Sequence, residues 1–436
     1  MAEASQRTLK TLAWWVSFML VFWAPFFGEQ RIPSMLLLLI GFWLHLKDRN
    51  LINTLPGARV LGAIFLSLLI PILMTTPFSL AVDESLLIAV VLVLHFWAGL
   101  AIIFGLSTRP PLKLSIGIAL TLAFWAVDGL IQRFHGSDLF GFGLGADGRI
   151  FGPFGDNQRL GYITGVMLPV MLWPWVRQYP RQVIGAILLA IFIIGLGGSR
   201  SSLVYAGLAG AGLFLRLPTW PQRIALATLA PTVLVAVTLL SPPLKERMVE
   251  RGYAPLTMPG QAAFGQPDIA PPENPQPVEP ELATPKFSTF QQFDLILSGR
   301  LTIWETAWNM LSDRPWVGVG AGAFDNMYDH YSSRPEDPFR SGGSYQFGVQ
   351  HAHQLYVAAA AETGVIGLIG LFLAIAIGYR WYRGLAPQQK EQASPYAYAL
   401  FIALFPLNSN HGLFIGWWFP ILLLLLCGML AAGSKK

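Results

Sequence analysis

Long apolar runs, broken by short polar turns, dominate the chain. About twenty apolar residues in a helix cross a hydrocarbon core of ~30 Å. Runs of this kind lie at about 12–28, 32–46, 59–75, 84–106, 114–132, 160–176, 182–197, 201–216, 222–241, 353–378, 395–408 and 412–433. The pattern predicts an all-α polytopic membrane protein with about twelve transmembrane helices. The first run is too long and aromatic for a signal-peptide core, and no Ala-x-Ala follows it. Three parts follow: helices 1–9 over 1–241, a soluble loop over 242–352, and helices 10–12 over 353–436.

The loop has two halves. Residues 252–286 hold nine prolines and almost no apolar periodicity. Such a stretch buries too little surface to offset its ordering entropy, so an irregular segment is expected. Beyond it, Ser298 can cap a helix over about 299–313. There Leu301, Trp304, Trp308 and Leu311 recur three and four residues apart, which predicts one apolar face lying at the membrane interface. Pro315 and the glycines from Gly318 to Gly322 end the helix.

Composition agrees with the pattern. Of 436 residues, 54% are hydrophobic and 12% charged, with a mean hydropathy of +0.51. A soluble domain is nearer a quarter charged. Cys427 is the single cysteine, so an intrachain disulfide and a Cys-based metal cluster are excluded. The net charge of +5 is a matter of position, not of nucleic-acid binding, and no nucleic-acid partner is expected.

With a cytoplasmic N-terminus, each cytoplasmic segment carries at least two basic residues: Arg7 and Lys10; Lys47, Arg49 and Arg59; Arg109 and Lys113; Arg177 and Arg181; Arg216 and Arg223; Arg380, Arg383 and Lys390; Lys435 and Lys436. This positive-inside pattern puts both termini in the cytoplasm and the long loop outside. It leaves Arg133, Arg149, Arg159, Arg200 and the loop cations on the outer face, where topology does not explain them.

Three sites there could carry chemistry. In Gly197-Gly198-Ser199-Arg200-Ser201-Ser202, an Arg opens a helix. An Arg at a helix centre costs ~2.5–3.5 kcal/mol on insertion scales, so an end or a polar cavity suits it. There the guanidinium and free backbone amides can face one anion; the bland alternative is a lipid phosphate. Arg300 opens the loop helix in the same way, against the alternative of a solvated loop arginine. His351-Ala352-His353-Gln354 enters the tenth run, where a histidine can act as a base near neutral pH or sit idle at the interface. His-x-His also occurs in metal sites, as could Asp325, Asp329 and His330, but few carboxylates stand beside the first and a polar helix face explains the second.

His353-Gln354, nine residues, then Gly364-Val365-Ile366-Gly367 resembles the motif of bacterial O-antigen ligases. Ser199-Arg200, the segment from Arg149 to Asn157 (RIFGPFGDN) and Arg314-Pro315-Trp316-Val317-Gly318-Val319-Gly320 resemble three further stretches of the wider family of O-antigen ligases, polymerases and protein O-oligosaccharyltransferases. The resemblance covers about 149–380.

It implies a GT-C-like glycosyltransferase with a large periplasmic loop that contains interfacial helices. The enzyme would sit in the bacterial inner membrane with its active site facing the periplasm. A glycan would pass from undecaprenyl diphosphate to a sugar hydroxyl of lipid A-core, with no cofactor and no metal. The family's functional residues carry over to His353 as base and to Arg200 and Arg300 as diphosphate ligands. Arg149 is a further diphosphate contact, and Asn157, Gln354, His351, Tyr356 and His411 are secondary candidates. Glu362, nine residues past His353, fits a structural hydrogen bond. No P-loop and no Asp-x-Asp motif is present, so arginine must neutralise charge that develops on the diphosphate.

The rivals are a polymerase or protein O-oligosaccharyltransferase using the same donor, and a transporter or flippase. A transporter calls for internal repeats and charges near the midplane. No repeat stands out here, and the unexplained Arg and His sit at outer helix ends.

Overall fold

The computed structural model describes residues 2–26, 30–107, 111–145, 148–155, 157–240, 290, 294, 297, 299–334, 337–341, 351–407 and 411–434. The Pro-rich stretch and Ser298 lie outside the described residues. The helices are α1 (Ala2–Phe22), α2 (Arg31–Lys47), α3 (Ala58–Thr75), α4 (Val82–Leu106), α5 (Pro111–His135), α6 (Arg159–Leu172), α7 (Pro180–Leu196), α8 (Arg200–Arg216), α9 (Trp220–Leu240), α10 (Arg300–Asp313), α11 (Phe324–Tyr331), α12 (Leu355–Arg383), α13 (Pro387–Ala403) and α14 (Phe419–Gly433), with a one-turn helix at Leu51–Thr54. Among the described residues there is no strand, only an isolated bridge between Ser137 and Gly143.

Each of the twelve apolar runs contains a helix, with shifts at the ends. α1 begins ten residues before its run, because the polar residues ahead of it favour helix. α13 begins at Pro387, which needs no hydrogen-bonded amide in a first turn. α14 starts only at Phe419, followed by Pro420, so 411–418 is irregular chain. By length and composition five helices can cross a membrane: Ala58–Phe78, Val82–Leu106, Leu112–His135, Trp220–Val237 and Leu355–Arg383. Pro180–Leu196 and Phe419–Gly433 are shorter apolar helices.

The surface is that of a protein facing lipid. On α12, Ile369, Phe372 and Leu373 are exposed, while Gly370, Ala374 and Gly378 are buried. Small residues on the protein side let backbones approach closely. A Cβ on Gly370 would fall on the Ser67 carbonyl oxygen of α3. Large exposed apolar side chains such as Leu39, Phe42, Leu66, Ile70, Leu87 and Val90 continue this outer layer on α2, α3 and α4. In water, apolar exposure on this scale would drive association.

One element controls the end of the bundle at which α12 begins. α12 is broken at Gly364, whose φ of 61° and ψ of −159° belong to a region that only glycine adopts readily. The break frees two amides and two carbonyls, which hydrocarbon cannot satisfy. Residues 315–320 fill the gap. Val365 N–H donates to Pro315 O at 2.9 Å and Ile366 N–H to Trp316 O at 3.2 Å. In return Val319 N–H donates to Ala361 O at 3.0 Å and Gly320 N–H to Glu362 O at 2.8 Å. Cβ atoms on Gly318 or Gly364 would collide with the opposite backbone. The same loop is held from its other side by the α3–α4 turn. Leu80 N–H donates to Val319 O at 2.8 Å and Arg314 Nη2 to Phe78 O at 2.7 Å. The amide of Gly322 hydrogen-bonds the Glu362 carboxyl, in line with a structural role for that side chain.

α10 differs from the expected helix in two respects. Its cap position is Gly299, in the left-handed region at φ 79°. A second face, of Thr302, Ile303, Thr306, Ala307 and Met310, packs on protein beside the predicted apolar stripe. Trp308 is two-thirds exposed, and Leu301, Trp304 and Leu311 are only half-buried. Periodicity found an apolar stripe but not the second face, because two threonines hide it: Thr306 Oγ1 bonds back to Thr302 O at 3.2 Å. The helix N-terminus is also occupied. Asp294 accepts from the amides of Leu301 at 2.7 Å and Thr302 at 3.2 Å, and from Thr302 Oγ1 at 2.5 Å. Those amides are therefore spoken for and do not await an anion, contrary to the expectation that Arg300 and a free helix end act together.

Two predictions follow from these bonds. Gly364→Ala loses ~1–3 kcal/mol of stability through backbone strain alone, and thermal unfolding in detergent drops by several degrees. Gly207→Ala, where an added Cβ meets nothing within 4 Å, stays within ~1 kcal/mol of the parent. Equal melting temperatures for Gly364→Ala and the parent would show that the break is not required. Asp294→Ala removes the cap of α10, worth ~1 kcal/mol, and speeds hydrogen exchange at Leu301 and Thr302. Unchanged exchange there would contradict the capping role.

Candidate functional site

The site grows from the cap of α12. Gln354 is its N-cap: Oε1 accepts the Val357 amide at 2.7 Å, and Nε2 donates to Pro406 O at 2.9 Å. Both ends of the amide are thus used in holding the helix start to the end of α13. His353, just before the cap, has φ 51°, and it is the one non-glycine residue in the left-handed region among the described residues. Histidine enters that region more readily than most side chains, at a cost of ~1–3 kcal/mol that persists only where surroundings enforce it. Here Gln354 fixes the residue after it. Trp304 of α10 fixes the one before it, donating Nε1–H to Ala352 O at 2.9 Å.

Three imidazoles meet at this point. The His351 and His353 rings lie 4.2 Å apart between centroids. His351 Nε2 is 3.3 Å from Nδ1 of His411, in the irregular chain before α14. His411 is walled by Tyr162 at 4.7 Å and Trp417 at 4.6 Å between ring centroids. The Arg159 guanidinium lies 5.1 Å from the centre of the Trp417 ring.

All three imidazoles are held neutral. Burial, then the nearby Arg300 charge, pushes His351 down to about 4. Burial holds His353 well below the usual histidine range, followed by His351 and Arg300. Burial does the same to His411, followed by His351, His353, Arg159 and Arg300. Every charge acting on the cluster is positive, and removal from water already disfavours the imidazolium. Arg300 itself donates Nη1–H to Leu297 O at 3.1 Å.

A second group lies at the starts of α6 and α8. Ser199 caps α8, accepting the Ser202 amide at 3.3 Å and the Ser202 hydroxyl at 2.7 Å. Arg200 follows and is exposed. Arg149 is buried against this turn, and a Cβ on Gly198 would come within 2.9 Å of its Nε. Its loop is shaped by the buried Gln132, whose Oε1 accepts the Phe151 and Gly152 amides at 2.8 and 3.0 Å. Asn157 is exposed, and its carbonyl accepts the Arg159 amide at 2.8 Å. α6 bridges the two groups: Gly161 packs on Ser202, while Arg159 reaches the Trp417–His411 pair.

The sequence candidates therefore divide. His351, His353, His411 and Arg300 act on one another, and Arg149 and Arg200 form a neighbouring set. Tyr356 points elsewhere: its hydroxyl donates to Leu404 O at 2.8 Å, its ring stacks on Phe372 at 5.7 Å, and it lines an apolar cavity. Arg159, Tyr162 and Trp417 had not been singled out. Arg159 carried a usable signal, as a basic residue that topology left unexplained. The aromatic partners had none, because they come from α6 and from the irregular chain before α14, far apart in sequence.

Two cavities adjoin the cluster. The smaller, about 180 Å³, is lined by His351, Asp325, Glu362 and Thr363, and by neither Arg200, Arg300 nor His353. The larger, about 530 Å³, lies between α3, α12, α13 and α14. They share Leu68, Leu371 and Leu413 as walls. Among the described residues no three His, Cys, Asp or Glu side chains are grouped so as to hold a metal ion, the α11 trio of Asp325, Asp329 and His330 included.

No curated protein matches the chain. A family model described as O-antigen ligase matches residues 185–372. The matched segment contains Arg200, Arg300, His351, His353, the 315–320 insertion and the break at Gly364, and it excludes Arg149, Asn157 and His411. Over that segment, less than half of the chain, the protein is similar to the O-antigen ligase family, whose members are ligase- and polymerase-type glycosyltransferases, and its apolar helices are those of a multi-pass membrane protein.

Proposed function

We propose that the protein is an O-antigen ligase of the bacterial inner membrane. It moves a glycan from undecaprenyl diphosphate to a sugar hydroxyl of lipid A-core, on the periplasmic side. In this reading all twelve apolar helices span the bilayer with both termini in the cytoplasm. Residues 242–352 are the periplasmic loop between spans over 1–241 and 353–436. The observation that carries the reading is the cluster of His351, His353 and His411 with Arg300 and Arg159, gathered at one end of the helices. The basic residues assigned to the cytoplasm mark the other end, where Arg216 pairs with Glu391.

The chemistry is a single displacement. His353 in its neutral form takes the proton of the acceptor hydroxyl. The freed oxygen attacks the anomeric carbon from the face opposite the diphosphate. The new glycosidic C–O bond forms as the bond from that carbon to the phosphate oxygen breaks, and the configuration inverts. The electron pair leaves on the diphosphate, where Arg300 and Arg200 offset the developing charge and Arg149 supports them. Fixed guanidinium groups suit this task, because they need no reorganisation as charge develops.

The apolar cavity supports a polyprenyl donor. Its wall hydroxyls are already engaged: Tyr356 on Leu404 O, Tyr398 on Leu208 O at 2.7 Å, and Tyr382 with Ser394 at 2.8 Å. Such a wall offers an occupant little beyond hydrocarbon contact, and it shares Leu68, Leu371 and Leu413 with the cavity that His351 lines.

His353→Ala should abolish transfer to lipid A-core while the protein stays folded in the membrane; wild-type ligation by that variant would remove His353 from the mechanism. Arg200→Lys and Arg300→Lys should each weaken donor binding, because a lysine lacks the bidentate fork. Unchanged binding in both would count against the diphosphate assignment. Because His353 is held below the ordinary value of 6.5, its base form persists as pH falls. The acid limb of kcat/KM should then lie below that value, and a limb above it would argue for another base. Carrier-linked glycan accumulating beside bare lipid A-core on deletion would mark a ligase; loss of chain length alone would mark a polymerase.

A further inference from the structure

His351 and His411 are bonded to each other in a way that leaves half of the pair idle. The inner nitrogens, His351 Nε2 and His411 Nδ1, share one hydrogen bond at 3.3 Å. The outer nitrogens, His351 Nδ1 and His411 Nε2, are buried and find no partner among the described residues. An unsatisfied buried polar atom is costly. A neutral pair holds two protons for three positions, one between the rings and two outside, so one outer nitrogen is a donor and the other an acceptor. Adding a third proton makes both outer nitrogens donors.

The surroundings decide when that proton can arrive. From the loop helix Arg300 acts on both rings, and from α6 Arg159 acts on His411. His353 stands against His351 on the same segment, and the Tyr162 ring stands against His411. Asp325 and Glu362 open on the small cavity that His351 also lines, yet the charge acting on His351 is that of Arg300. An additional positive charge is therefore unwelcome while the site is empty. A bound diphosphate reverses the balance, because it brings negative charge to the place where Arg300 already acts.

We infer that His351 and His411 form one proton-linked anion subsite: a lipid diphosphate binding against Arg300 draws one proton from solvent onto the pair, whose outer N–H groups then face phosphate oxygens. The inference rests on the diphosphate-dependent reading above and adds to it two ligands and a proton. Charge balances in the step, since one solvent proton enters with each anion bound. The direction follows from linkage. The empty site holds His351 neutral down to about pH 4, against an ordinary 6.5. Where only the bound form carries the extra proton, affinity rises up to about tenfold for each pH unit lowered.

The test is a titration of the full-length protein in detergent with undecaprenyl diphosphate, by calorimetry in buffers of different ionisation enthalpy. Between about pH 4 and 6.5 the proton uptake should approach one per anion, and it should fall toward zero in alkaline buffer. His411→Gln should flatten the pH dependence of binding and remove the proton uptake. Tight binding with no proton uptake at any pH would overturn the subsite but leave the donor assignment standing. Absence of binding at every pH would instead overturn the donor assignment. If His411→Gln does not fold, the proton count on the parent protein still decides the question.

Discussion

A helix inside a membrane cannot leave backbone groups unpaired, and α12 breaks that requirement at Gly364. Everything at the end of the bundle where α12 begins follows from how the break is mended. Four hydrogen bonds exchanged with residues 315–320 replace the lost turns of the helix ladder. The insertion fixes the loop after α10 against α12, and the α3–α4 turn grips it from the far side. With α10 anchored, Trp304 reaches Ala352 and sets the short segment that carries His351 and His353. Three of the four glycine positions of the two motifs thus share the mended break as their reason, and the fourth has a local one. Gly318, Gly320 and Gly364 sit at positive φ, and at Gly367 a Cβ would collide with the Thr363 side chain.

The second constraint is electrostatic. Three buried imidazoles and two guanidinium groups form a site in which every acting charge has the same sign. Such a cluster is poorly suited to stabilising the fold, since like charges and burial both oppose ionisation. It is well suited to an anion that arrives from outside. Low dielectric strengthens each contact with that anion, and neutral imidazole is also the form a base needs. The left-handed backbone of His353 belongs to the same logic. Strain at one residue is tolerated because Gln354 and Trp304 hold its neighbours.

The two ends of the helices are chemically distinct. The end at which α6, α8 and α12 begin gathers Arg149, Arg159, Arg200, Arg300 and the histidines around short, glycine-rich turns. The other end holds ordinary membrane-surface contacts, such as Arg216 between Glu391 and the Trp173 ring. Between them, the apolar cavity and the small His351-lined one lie side by side, with Leu68, Leu371 and Leu413 as common walls.

Apolar run length placed a helix in each predicted span, because burying backbone in lipid depends on local composition and little else. Motif spacing also pointed to His353, Arg200 and Arg300. It did so without giving the reason for the spacing, since a nine-residue gap says nothing of a helix that breaks and accepts another strand of backbone. Amphipathic periodicity located α10 and its apolar stripe but not the face packed on protein, because Thr302 and Thr306 read as polar in sequence yet satisfy themselves once buried. It also assigned the helix N-terminus to a ligand, when Asp294, six residues upstream of Arg300, had taken it. Arg159, Tyr162, Trp417 and His411 come together from α6 and the chain before α14, some 250 residues apart in sequence. Helix identity is a local property of this chain and was legible residue by residue. The site is a set of contacts between helix ends, and only the packing of those ends decided which side chains share it.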